Sequence, residues 1–71
     1  MQVSAPQLNR IKAVLAENNK TSKELAHYLS CTESSVSRWC TNDVQPLVMT
    51  LAKIADWLEV DIRELLVGTK T

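Results

Sequence analysis

Apolar residues recur along this chain at spacings of three and four, the repeat that brings side chains to one face of an α-helix. Leu8, Ile11, Val14 and Leu15 form a first stripe, Leu25, Ala26 and Leu29 a second, and Val36, Trp39 and Cys40 a third. Val48, Leu51, Ile54, Ala55 and Leu58 form a fourth, and Ile62, Leu65 and Leu66 a fifth. No segment alternates for long enough to read as a strand, so the pattern predicts an all-α fold, a compact bundle of five helices.

Start and stop signals fall between the stripes. Ser4 can cap the first helix, with Pro6 in its first turn and Gln7 reaching back, and Asn18 and Asn19 suit its end. Thr21 and Glu24 have the spacing of a capping box, in which each side chain satisfies a backbone donor of the other residue. Thr32 can cap the third helix. Residues 41–46 are rich in turn formers, and Pro46 fits the opening turn of a fourth helix. Glu59 and Val60 make a short connection, Asp61 and Glu64 cap the fifth helix, and Gly68 is placed to end it. Two residues run against their positions. Ser30 occupies a tight turn that favours glycine at positive φ, at a cost of about 1 kcal/mol. Leu47 stands where a polar cap would help the fourth helix.

The second and third helices, joined by so short a turn, read as a helix-turn-helix. With Val36, Trp39 and Cys40 inward, the third helix turns Glu33, Ser34, Ser37 and Arg38 outward, a face of short polar residues with one arginine. Such a face suits a helix laid in a DNA groove.

A chain of 71 residues can hold one domain, and the pattern places it over residues 1–71, with its core at about 5–67 and a flexible tail at 68–71. No apolar run is long enough to span a membrane, and the opening residues lack the basic-then-apolar layout of a secretory leader, so a soluble, cytoplasmic protein is expected. His27 is the single histidine, and no nucleophile–base set, phosphate-binding glycine loop or paired carboxylates can be picked out. No enzyme activity and no cofactor are therefore expected. Cys31 and Cys40 with His27 fall short of the four ligands of a structural zinc site and read as reduced thiols serving as small apolar residues.

Charge qualifies the DNA expectation. Lysines and arginines number 8 against 8 acidic residues, a formal net charge of zero. DNA-binding domains ordinarily carry a basic excess, because phosphate neutralisation releases counterions and supplies most non-specific affinity. One copy alone should bind weakly, with a second copy or a partner protein supplementing it.

The residues described also resemble a known family, the Cro/C1-type (XRE) helix-turn-helix domain of phage repressors and related bacterial regulators. The matching positions are Thr21, Ser22, Glu24, Leu25, Ala26, Leu29 and Thr32, then Ser35 to Trp39, Pro46, Leu51, Lys53, Ile54, Ala55, Leu58 and Val60. Ile62, Glu64, Leu65 and Leu66 complete the string. The resemblance implies five helices, with the third in the major groove, and binding of double-stranded DNA by a homodimer on a two-fold operator. By position it puts base reading on Thr32, Glu33, Ser34 and Arg38. Phosphate contact falls on Ser22, with Thr21 as cap, and on Thr41 and Asn42 beyond the third helix. The dimer contact falls on residues 59–66, including Glu59, Val60, Ile62 and Leu66. The chain departs from the usual pattern in having Ser22 in place of glutamine, Cys40 after Trp39 in place of glutamate, and Ser30 and Asn42 in place of glycine.

Chemistry adds to the resemblance at several of these positions. The arginine fork of Arg38 can pair with O6 and N7 of guanine, whereas a solvated arginine beside Glu33 or Ser34 is the plainer alternative. Ser34 and Ser37 suit phosphate hydrogen bonds, and Lys23 is either a phosphate contact or a solvated lysine. Glu33 suits only the amino group of a cytosine. Trp57 falls where the pattern usually runs small or polar. It marks a self or partner interface, or it lies along the last helix. Two function classes follow: a sequence-specific transcriptional regulator, of which repressors are the familiar kind, or a protein-interaction module of the antitoxin sort that uses Trp57, Leu47 and Met49.

Overall fold

The computed structural model describes residues 7–68. In chain order these form α1 (Ile11–Glu17), α2 (Ser22–Leu29), α3 (Glu33–Cys40), α4 (Val48–Leu58) and a single 3-10 turn (Ile62–Leu65). The all-helical expectation holds, but among the described residues there are four α-helices rather than five. The fifth stripe closes only a 3-10 turn. Its cap is as the sequence predicted: Asp61 accepts from the Arg63 N–H and Glu64 reaches back to the Asp61 N–H. Leu66 then leaves in extended conformation, so it is not part of a helix face.

The first helix is also shorter than its stripe. The expected cap at Ser4 and first turn at Pro6 lie outside the described residues, but Gln7 to Arg10 are not helical and α1 begins only at Ile11, which corrects the expected early start. Residues 8–10 stay out of the helix because tertiary acceptors claim their donors. The Leu8 and Asn9 N–H groups both donate to Asn42 Oδ1, at 2.8 and 2.9 Å. The Arg10 N–H donates to the Leu65 carbonyl, and the Val67 N–H to that of Leu8. Asn9 and Leu66 thereby form an isolated antiparallel bridge, and Leu8 is left largely exposed instead of joining the core. Asn9 Oδ1 in turn accepts from the Ile11 N–H and so starts α1.

The core is one cluster drawn from all four helices and the 3-10 turn. Ile11, Val14, Leu25, Val36, Ile54 and Leu65 are fully buried, with Leu15, Ala26, Leu51, Ala55 and Leu58 close behind. Each large side chain so buried contributes about 1.5–3 kcal/mol through removal of apolar area from water. Val48, expected in the fourth stripe, is 74% exposed, because it stands one turn ahead of the point where α4 meets the core at Leu51. Trp39 and Cys40 are half-buried against the cluster.

All four helices end alike. Asn19, Ser30, Asn42 and Glu59 each take a φ between 56° and 61°. At each, the residue in the left-handed region donates to the carbonyl three residues back, and its successor to the carbonyl five back, as with Ser30 to His27 and Cys31 to Ala26. This is the Schellman termination, which glycine usually occupies. Here no glycine serves, and the one glycine of the chain is Gly68. Asparagine visits this region readily, whereas Ser30 and Glu59 bear its steric cost.

Candidate nucleic-acid interface

α2 and α3 pack on one another, joined by the turn at Ser30. The capping box at the start of α2 is formed: Thr21 Oγ1 accepts from the Glu24 N–H at 3.1 Å, and Glu24 Oε1 accepts from the Thr21 N–H at 2.8 Å. Thr32 caps α3 by accepting from the Ser35 N–H at 3.1 Å, with the two hydroxyls also 3.1 Å apart. The first-turn N–H groups that these caps do not engage give each helix start a partial positive charge.

Val36 fixes which way α3 faces. It is fully buried, and Trp39 and Cys40 follow on the inward side. Thr32, Glu33, Ser34, Ser37 and Arg38 are all exposed as a result. Arg38 does not pair with Glu33: the two ion pairs among the described residues are Arg10–Glu17 and Arg63–Asp61. On α2, Lys23 is exposed and Ser22 is half-buried, its Oγ 3.8 Å from Cys40 Sγ. Ser22 therefore also joins the start of α2 to the end of α3.

Beyond α3 the expected residues diverge. Thr41 is exposed, and its hydroxyl donates to the Arg38 carbonyl at 3.2 Å. Asn42 is 5% exposed, and its side chain faces inward. Besides accepting from Leu8 and Asn9 it accepts from Gln45 Nε2 at 3.1 Å, and its Nδ2 donates to the Asn9 carbonyl at 3.2 Å. A phosphate contact by this side chain is thus corrected to a structural role, since no polar atom of it is left to face outward. Asn9, missed in the sequence because helical spacing absorbed it, completes the network by donating to the Trp39 carbonyl and to Gln45 Oε1 at 2.9 and 2.7 Å. The network ties the end of α3 to the paired terminal segments. The one signal for it in the sequence was Asn42 itself, an asparagine at a helix end.

A family model described as the Cro/C1-type HTH DNA-binding domain matches residues 10–70. The chain belongs to that family. A crystal structure of a "putative DNA-binding protein from Bacteroides fragilis" is similar to this chain, with 47% identity and a TM-score of 0.83 over 84% of this chain and 97% of that one. No curated protein matches.

Other expected positions of this Cro/C1-type domain are placed as follows. Trp57 is half-buried and packs on α2: its ring stacks on Tyr28 with centroids 5.3 Å apart, and Lys20 Nζ lies 5.2 Å from its centroid. Val60 and Ile62 pack against the core, leaving Glu59 and Leu66 as the exposed members of the expected dimer segment. Cys31 and Cys40 are free thiols, and no cluster of three or more metal-ligating side chains occurs among the described residues. No helix there is long and apolar enough to cross a membrane.

Proposed function

We propose that this chain is a sequence-specific DNA-binding transcriptional regulator, a repressor acting in the cytoplasm without catalytic activity, that binds a two-fold operator as two copies. The reading is carried by one observation: α3 is anchored inward by Val36 and presents Thr32, Glu33, Ser34, Ser37 and Arg38 to solvent from a capped N-terminal end. In this reading α3 enters the major groove by that end. Thr32, Glu33, Ser34 and Arg38 then reach base edges, with Arg38 directed to a guanine. Ser22, Lys23, Ser37 and the unengaged first-turn donors beside Thr21 hold phosphates and set the register. Thr41 joins them if its hydroxyl turns from the Arg38 carbonyl. With formal charge balanced, affinity per copy is low, and two copies on one duplex supply what one lacks.

Selection of duplexes from a random-sequence pool, followed by affinity measurement over a range of salt, tests the proposal. Enrichment of a two-fold motif and steep loss of affinity with salt are expected. A pool that stays random, with no salt-dependent binding, overturns it.

A further inference from the structure

We propose that the hollow between α2 and the end of α4 binds a planar aromatic anion, and that the bound anion weakens the hold on DNA by engaging Lys23. The second clause rests on the DNA-binding reading above; the site itself does not.

The hollow has a volume of about 590 Å³, in the size range of small-ligand sites, and is lined by Lys20, Lys23, Glu24, His27, Tyr28 and Trp57. Helical spacing gathers the first five. Lys23 and His27 stand four apart on α2, as do Glu24 and Tyr28, and Lys20 directly precedes the Thr21 cap. Trp57 comes from α4, its ring stacked on Tyr28 with 16° between the planes. Two of the chain's three aromatic residues and its one histidine thus meet at a single place.

Charge and ring chemistry together name the ligand. Two lysines against one carboxylate give this hollow a positive excess in a chain whose charges balance. That carboxylate is already engaged, since Glu24 Oε1 accepts from the Thr21 N–H at 2.8 Å. Neither lysine is ion-paired: the ion pairs among the described residues are Arg10–Glu17 and Arg63–Asp61. Lys20 instead rests its ammonium 5.2 Å from the Trp57 ring centre, a weaker attraction than an anion offers. Tyr28 is 42% exposed, so packing between α2 and α4 does not use up its ring. A flat aromatic ring laid against the pair gains stacking, and an acidic group on that ring is met by Lys20, Lys23 and an N–H of His27. An aliphatic anion lacks the first contact, and a neutral ring lacks the second. The shared chemistry is therefore an aromatic ring bearing a carboxylate or a phosphate. Because Lys23 is also the lysine assigned to DNA phosphate, ligand and duplex compete for it, and each lowers the affinity for the other.

The first arm of the test uses no DNA. Amide and indole N–H resonances of the isotopically labelled chain are followed on titration with 2-naphthoate and with adenosine 5′-monophosphate, which separate the carboxylate source from the phosphate source. Cyclohexanecarboxylate and adenosine serve as the anion without the aromatic ring and the ring without the charge. Saturable shifts centred on residues 20–28 and Trp57 are expected with at least one aromatic anion, and about tenfold weaker binding of its control. Lys20→Gln should weaken the aromatic anion about fivefold or more, and Tyr28→Leu should abolish the preference for it over the control. Both variants leave Trp57 and the core untouched. The site is overturned if neither aromatic anion binds, if the controls bind equally well, or if only a glutamate-rich peptide shifts these resonances. In the second arm, affinity for the selected duplex is measured with and without the bound anion. A loss of about threefold or more is expected in the parent, and none in Lys20→Gln at the same anion concentration. Unchanged duplex affinity in the parent overturns the competition for Lys23. A chain that binds the anion but no duplex overturns the DNA reading and upholds the site.

Discussion

Asn42 and Asn9 hold each other across the fold: Asn42 Oδ1 accepts the Asn9 N–H at 2.9 Å, and Asn42 Nδ2 donates to the Asn9 carbonyl at 3.2 Å. The pair is buried and lies more than thirty residues apart in sequence. It attaches the segment before α1 to the loop that follows α3, and so fixes where the proposed reading helix ends. Because Asn42 also sits at φ 61°, one residue meets a hydrogen-bonding demand and a backbone demand together.

Those two demands can be separated by substitution. Asn42→Gly keeps the left-handed turn but removes the side-chain bonds, leaving the buried Asn9 donor and the part-buried Leu8 donor without their acceptor. A loss of about 1–3 kcal/mol in denaturant unfolding is expected, the usual cost of an orphaned buried donor. Asn42→Ala should lose roughly a further 1 kcal/mol from the conformation alone. Amide exchange at Asn9 should speed up in both variants. Equal stability of the glycine variant and the parent would remove the network from the account.

Ser30 and Glu59 offer the opposite change. Both take left-handed φ at Schellman ends, and glycine should relieve strain of up to about 1 kcal/mol at each, less the entropy glycine adds to the unfolded chain. Ser30→Gly and Glu59→Gly are therefore expected to raise the melting temperature, and together to add, since the sites end different helices. A lower melting temperature in either would mean that the side chain makes a contribution larger than its strain.

Arg38 and Ser22 separate base reading from phosphate holding. Arg38→Ala is expected to cost about 1–3 kcal/mol on the selected duplex and to relax preference at one base pair. Ser22→Ala should weaken all duplexes alike, because a phosphate carries no sequence information. Affinity against a panel of duplexes checks both. An Arg38→Ala variant with unchanged affinity and preference would remove α3 as the reader.

Asp61 predicts a pH dependence of definite sign. Hydrogen bonds from the Arg63 side chain and then its backbone N–H hold the Asp61 carboxyl below its ordinary value. A carboxylate lowered in the folded state adds stability that is complete above its unfolded value and lost as pH falls through the lowered one. The stability difference between the parent and Asp61→Ala should therefore shrink on acidification and be constant near neutrality. The effect is small, because the pair is open to solvent. Thermal melts over an acid pH series measure it, and a gap that widened toward acid would contradict the assigned cause.

The sequence by itself determined the parts that rest on neighbours within one helical turn. The Thr21–Glu24 box, the Thr32 cap and the Asp61–Glu64 box are local spacings, and each forms as read. The inward faces of α2 and α4 follow equally from periodicity, with Leu25, Ala26, Leu51, Ile54, Ala55 and Leu58 buried. With Val36 buried beneath α3, the same periodicity placed the outward residues from Glu33 to Arg38. What only the tertiary structure decided lies where distant groups compete for the same donors. Leu8 and Leu66 fit helical stripes, yet Asn42 and the paired terminal backbones take up the hydrogen bonds that helices there would have needed. Trp57 was ambiguous because its partner, Tyr28, belongs to another helix. Asn42 changed from an outward contact to a buried tether for the same reason. Local spacing dictates which face of a helix is apolar, but hydrogen-bond partners some thirty residues away decide where the helix begins and which polar side chain is drawn inside.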